Sequence, residues 1–152
     1  MLRISLFSAV AALALLVAPL TASAGQKNSA PTTQSATSNA YALYGSANAL
    51  SLNNNAVDQT NLRSGGKKIF QDNSAPTTQS ATSNAFSYGG DANATSVNTN
   101  LIQQENGAFG RKIHQSNSAP TTQSATSTAV SVGGDANAVS ANANGVSQGN
   151  FK

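Results

Sequence analysis

Between residues 81 and 101 large and small side chains alternate with a period of two. Thr82, Asn84, Phe86 and Tyr88 share one face of an extended segment, and Ala81, Ser83, Ala85 and Ser87 share the other. After the turn signal Gly89-Gly90-Asp91, a second run sets Asn93, Thr95, Val97, Thr99 and Leu101 against Ala92, Ala94, Ser96, Asn98 and Asn100. Helix is disfavoured, because Thr, Ser, Asn and Gly are weak helix formers and no i, i+3, i+4 apolar stripe is present. The pattern predicts strand–turn–strand.

This unit occurs three times. The segment Asn28–Ala40 recurs unchanged as Asn73–Ala85, and again as Asn117–Ala129 with Thr128 in place of Asn. Gly45, Gly90 and Gly134 align, as do Gln59, Gln104 and Gln148, and Asn61, Asn106 and Asn150. Pro31, Pro76 and Pro120 occupy one fixed place per unit, expected at a strand start or an exposed corner. Basic glycine-rich junctions, Gly65-Gly66-Lys67-Lys68 and Gly110-Arg111-Lys112, close the first two units. We divide the chain into residues 25–70, 71–114 and a truncated third repeat, 115–152. Such a period predicts an all-β, three-repeat solenoid or cross-β architecture. Superposed units place Asn28, Asn73 and Asn117 over one another, and likewise Gln34, Gln79 and Gln123, so that their amides bond along the stack as ladders. Phe86, Tyr88, Val130 and Val132 are expected to supply apolar packing between layers.

Composition sharpens this picture. Of 152 residues 9% are charged and 5% aromatic, and there is no cysteine. Beyond Ala24 the large apolar side chains make up about a sixth of the chain, below what packed cores use. Disulfides are excluded, so backbone pairing, polar ladders or assembly must offset the entropy of ordering. Excluding Arg3, seven basic residues face five acids, too small an excess to suggest a nucleic-acid partner.

The first residues read as an export signal, with Arg3 as the positive region and Val10–Leu20 as the apolar run. Ala22-Ser23-Ala24 supplies the small-x-small cleavage pattern, so residues 1–24 are expected to be removed and the product to be secreted or held at the cell surface without stable membrane insertion.

The repeats resemble the curlin units of bacterial curli fibres. Asn28-x-Ala30-x3-Gln34, Asn73-x-Ala75-x3-Gln79 and Asn117-x-Ala119-x3-Gln123 match the second half of the curlin pattern, and Gly45-x2-Asn48, Gly90-x2-Asn93 and Gly134-x2-Asn137 match its middle. The leading Ser of the pattern is out of place, proline intrudes, and each unit is about twice a curlin unit in length. Fap-type fibre subunits are similar in composition and repeat number. The resemblance implies a functional amyloid: a secreted monomer, disordered before assembly, that forms cross-β fibres for adhesion or biofilm matrix. It also implies the chain itself as partner, together with a nucleator or an outer-membrane export apparatus. Lys67, Lys68, Asp72, Asp91, Arg111, Lys112 and Asp135 are candidate gatekeepers against premature assembly, or simply solvated turn residues.

Chemistry of other kinds finds little footing. His114 is the sole histidine, so Cys/His metal sites and Cys–His dyads are excluded, and neither enzyme activity nor a cofactor is expected. Gly89-Gly90-Asp91 and Gly133-Gly134-Asp135 are similar to fragments of calcium-binding β-roll repeats but lack their tandem nonapeptides. Two other readings stand beside the fibre: a precursor cut at Lys67-Lys68 and Arg111-Lys112 into similar peptides, and a surface-binding adhesin.

Overall fold

A computed structural model of the chain describes residues 9–11 and 25–152. These form ten strands: β1 (Ala9–Ala11), β2 (Gln26–Ser29), β3 (Thr32–Leu43), β4 (Ala47–Ser64), β5 (Ile69–Ser74), β6 (Thr77–Tyr88), β7 (Ala92–Phe109), β8 (Ile113–Ser118), β9 (Thr121–Val132) and β10 (Ala136–Phe151). Each repeat supplies one rung: β2–β3–β4, β5–β6–β7 and β8–β9–β10. Every strand pairs in parallel with its counterpart one repeat away, giving sheets β2-β5-β8, β3-β6-β9 and β4-β7-β10, with β1 outside β4. The fold is therefore all-β and solenoid-like, as the repeat period predicts.

Register follows sequence identity. Asn28 faces Asn73 and Asn73 faces Asn117, while Gln34, Gln79 and Gln123 pair in the same way. The rungs begin at Gln26, Ile69 and Ile113, so the second and third start two residues before the boundaries expected at 71 and 115. Pairing resumes as soon as the junction ends, with the Ile69 amide donating to the Lys112 carbonyl at 2.8 Å. The third repeat, expected to be truncated, builds a full rung; β10 is only two residues shorter than β7. The leader assigned to residues 1–24 lies outside the described residues except for Ala9–Ala11, which pair with Ala49–Ser51.

Two chemical devices shape the rung. Pro31, Pro76 and Pro120 stand between the two strands of the outgoing arm, where a missing N–H breaks one ladder into two. The chain bridges this corner through its neighbours, as the Thr32 amide donates to the Pro76 carbonyl at 2.9 Å. At the far end, Tyr44, Gly89 and Gly133 all take positive φ (58°, 79° and 87°) to reverse the chain. Only the first unit places a side chain at this left-handed position.

The interior is small and polar. Ala36, Ala81, Ala49 and Ala94 are buried, as are Ser51, Ser83 and Ser96, and Ile69 and Ile102 are the largest fully buried side chains. The outgoing arm (β2–β3 and its copies) and the returning strand face each other across this interior. Ser83 Oγ donates to the Thr95 carbonyl at 2.6 Å and Ser51 Oγ to the Thr82 carbonyl at 2.6 Å, tying one layer to the other. Phe86, Tyr88, Val130 and Val132 lie on the outer face at 36%, 48%, 44% and 48% exposure. There they stack rung on rung: Tyr41 and Phe86 lie parallel with centroids 5.2 Å apart, and Tyr44 meets Tyr88 edge-on at 6.1 Å. Their packing is thus along the stack and outside it, while amides and hydroxyls fill the space between the facing layers.

Candidate assembly site: amide ladders and the two end faces

Period-two geometry carries every second residue inward, so an Asn or Gln repeated at the unit spacing meets its own copy on the next rung. Gln79 Nε2 donates to Gln34 Oε1 at 2.7 Å, and Gln123 Nε2 to Gln79 Oε1 at 2.8 Å. Each of these amides has two hydrogens, and the second crosses to the facing layer: Gln79 donates to the Thr99 carbonyl at 3.0 Å and Gln123 to the Ala143 carbonyl at 3.1 Å. Gln26, Gln71 and Gln115 form a second glutamine ladder, and Gln59, Gln104 and Gln148 a third. In all three, each rung donates back toward the N-terminus.

The inward-facing asparagine ladders of β4, β7 and β10 run the opposite way, whereas the solvent-facing Asn48–Asn93–Asn137 ladder keeps the sense of the glutamines. Asn55 Nδ2 donates to Asn100 Oδ1 at 2.7 Å and Asn100 Nδ2 to Asn144 Oδ1 at 2.8 Å; Asn53, Asn98 and Asn142 repeat the pattern at 2.9 Å. Opposed senses give the stack two chemically distinct ends.

Asn28, Asn73 and Asn117 join a more elaborate array than a straight ladder. Asn28 Nδ2 donates to Asn61 Oδ1 (3.0 Å), Asn61 to Asn73 (2.8 Å), Asn73 to Asn106 (3.1 Å), Asn106 to Asn117 (2.8 Å) and Asn117 to Asn150 (3.2 Å). This zigzag alternates between layers and climbs all three rungs. Asn73 also donates straight to Asn117 at 3.2 Å. The sequence placed Asn61, Asn106 and Asn150 in register but did not reveal that they close a cross-layer chain. It also missed the ladder of Gln26, at the head of the unit, and those of Asn53 and Asn55, whose signal was available in the repeat alignment of the looser second half.

Among the described residues, the buried side-chain polar atoms left without a partner fall in the outer rungs alone. They are Asn28 Oδ1, Thr32 Oγ1 and Asn55 Oδ1 in the first rung and Gln115 Oε1 in the third. Their middle-rung counterparts show what each lacks. Asn73 Oδ1 receives Asn61, Thr77 Oγ1 receives Asn55 at 3.3 Å, Asn100 Oδ1 receives Asn55, and Gln71 Oε1 receives Gln115 at 3.0 Å. The missing donors are one rung further along. Among the described residues, the third rung also leaves β8, β9 and β10, of six, twelve and sixteen residues, unpaired on one side.

The charged residues singled out from the sequence sit away from the ladders. Lys67, Lys68, Arg111 and Lys112 are exposed in the junctions, Asp91 and Asp135 are exposed at the turn end, and half-buried Asp72 stands between Lys27 and Ser116 in register. His114 is exposed on β8 and stacks on Phe70 at 5.0 Å. No protein-family model, curated protein or solved structure matches this chain.

Proposed function

We propose that this protein is a secreted, non-enzymatic subunit that polymerises end to end into β-rich extracellular fibres, serving adhesion or a biofilm matrix. The observation that supports it is the position of the four unpartnered atoms, all in the outer rungs, where one stacking operation would pair every one of them. When the first rung of one chain continues the third rung of another, Asn144 Nδ2 reaches Asn55 Oδ1 and Thr32 Oγ1 of the incoming chain. By the same step Asn150 Nδ2 reaches its Asn28 Oδ1, and its Gln26 Nε2 reaches Gln115 Oε1. Each contact copies one already made between rungs inside the chain. Head-to-head stacking sets acceptors against acceptors, so the fibre is polar.

Backbone pairing along the open edge supplies most of the affinity, and the amides fix register, because a slip of one residue would turn every inward side chain outward. At the first rung, β1 occupies the edge at Ala49–Ser51. Removal of residues 1–24 after Ala24 frees that edge, which ties polymerisation to maturation of the chain.

The double variant N144D/N150D tests the scheme. Aspartate keeps the oxygen that accepts from Asn100 and Asn106 within the chain and loses the outward Nδ2 donor. Fibre elongation by residues 25–152 is expected to stop at pH 7 with the chain still folded, and to recover relative to wild type below about pH 4, where the carboxyl regains a proton. Elongation of the variant at the wild-type rate at pH 7 refutes end-to-end docking.

A further inference from the structure

The chain contains two Asn-Gly pairs, Asn106-Gly107 and Asn144-Gly145, and the fold treats them differently. Asn106 is fully buried on β7, which pairs with β4 on one side and β10 on the other. Its side chain donates to Asn117 at 2.8 Å and to Asn150 at 3.0 Å, and accepts from Asn61 and Asn73. Gly107 beside it is buried as well. Asn144 is exposed on β10, which among the described residues pairs with β7 alone. Its side chain makes one hydrogen bond there, accepting from Asn100 at 2.8 Å. The backbone does not demand glycine at 145. Ala56 and Leu101 hold the same register position in the other rungs, and Gly145 is not left-handed. A Cβ there would come nearest the flexible Leu101 side chain, at 3.2 Å.

We propose that Asn144 is a site of spontaneous deamidation, which disables the elongating edge of chains left outside a fibre. The Gly145 backbone nitrogen attacks Asn144 Cγ and a C–N bond forms. The Cγ–Nδ2 bond breaks, and Nδ2 leaves as ammonia with the proton of the Gly145 amide. Water then opens the cyclic imide at Cγ to give aspartate, or at the Asn144 backbone carbonyl carbon to give isoaspartate. Water is the only co-reactant. Glycine favours the attack because it has no Cβ to obstruct the approach and is free in φ. An extended strand holds this nitrogen away from Cγ, so the reaction waits on local opening, which costs far less in edge segments than in central ones. Opening β7 at Gly107 breaks pairing on both sides together with the asparagine zigzag, whereas opening β10 at Gly145 breaks pairing on one side. The consequence for assembly rests on the end-to-end reading above. Aspartate lacks the outward Nδ2 donor, and isoaspartate routes the main chain through Cβ, which throws residues 146–151 out of register. An added rung pairs β10 on its second side, so chains inside a fibre are protected while free chains and fibre ends age.

The test follows residues 25–152 in mildly alkaline buffer, below the concentration at which any assembly is seen, by mass spectrometry of proteolytic peptides. In native buffer Asn144 should deamidate at least about tenfold faster than Asn106, whereas in urea the two should react alike. Asn142, on the same exposed strand but followed by Ala143, should react severalfold more slowly than Asn144 in both conditions. Gly145→Ala should bring Asn144 down to the rate of Asn142 and leave the urea midpoint near wild type. Aged wild-type chains should lose seeded elongation in proportion to conversion at Asn144, and equally aged G145A should keep it. Equal rates at Asn144 and Asn106 in native buffer, or at Asn144 and Asn142, would overturn the site. Undiminished elongation by chains converted at Asn144, with the order of rates intact, would instead overturn the link to assembly and count against end-to-end docking.

Discussion

Replacing Asn100 by alanine measures what a buried amide ladder contributes. Asn100 is 2% exposed, accepts from Asn55 at 2.7 Å, and donates to Asn144 at 2.8 Å and Thr121 at 3.2 Å. A net hydrogen bond stabilises by about 0.5–1.5 kcal/mol, and a buried group left unpaired costs more. Asn55 Nδ2, itself fully buried, would keep only the long contact to Thr77 at 3.3 Å. Asn144 and Thr121 lie toward the open third rung, where water replaces the lost partner. The expected loss is therefore about 2–4 kcal/mol. Asn93, on the same strand, is the control: it donates to Asn48 at 2.9 Å and accepts from Asn137 at 3.0 Å, but both contacts lie in solvent. Alanine there should change stability by less than about 0.5 kcal/mol. Urea unfolding followed by far-ultraviolet circular dichroism resolves the difference. Equal losses for N100A and N93A would show that burial does not strengthen the ladders.

Gly90→Ala and Gly45→Ala separate folding from assembly. A methyl at Gly90 meets the Gly45 carbonyl of the rung below, so about 1–3 kcal/mol of stability should be lost, whereas one at Gly45 meets nothing within 4 Å among the described residues. In an end-to-end stack Gly45 would rest on Gly134 of the preceding chain; G45A should unfold like wild type yet elongate poorly, as read by thioflavin fluorescence. Tyr44→Gly relieves the left-handed backbone cost of about 1–2 kcal/mol and forfeits an edge contact with Tyr88 worth about 0.5–1.5, so its denaturation midpoint should stay near wild type. Gly89→Ala gains no such contact and should destabilise. A chain retaining residues 1–24 keeps β1 against Ala49–Ser51 and should elongate more slowly than residues 25–152 in seeded assays; equal rates would remove the link to maturation.

Much of this architecture was legible because one rule operates throughout. Identical residues at a fixed spacing, in segments of period two, place Gln34 over Gln79 and Gln123 whatever the details of the turn. The first repeat's Tyr44 was harder to read, since only its alignment with Gly89 and Gly133 discloses the left-handed turn. Which face turns inward was not legible either. Phe86 and Tyr88 are the larger side chains, and burial of apolar area alone would favour them inside. The inner face instead belongs to Ala, Ser, Asn and Gln, because amides bonded both along the stack and across it satisfy their own polarity and hold both layers. The zigzag from Asn28 to Asn150 was hidden for a related reason: it depends on how the outgoing arm faces the returning strand, which no periodicity within one strand encodes.

The most direct test of end-to-end polymerisation is mass per length, measured by scanning transmission electron microscopy on fibres grown from residues 25–152 and paired with fibre diffraction. Three rungs per chain at about 4.8 Å predict one chain for every ~14 Å of each protofilament, with a meridional reflection at the rung spacing. One chain for every ~4.8 Å would mean that each molecule spreads into a single layer, and would contradict the stacked-coil account.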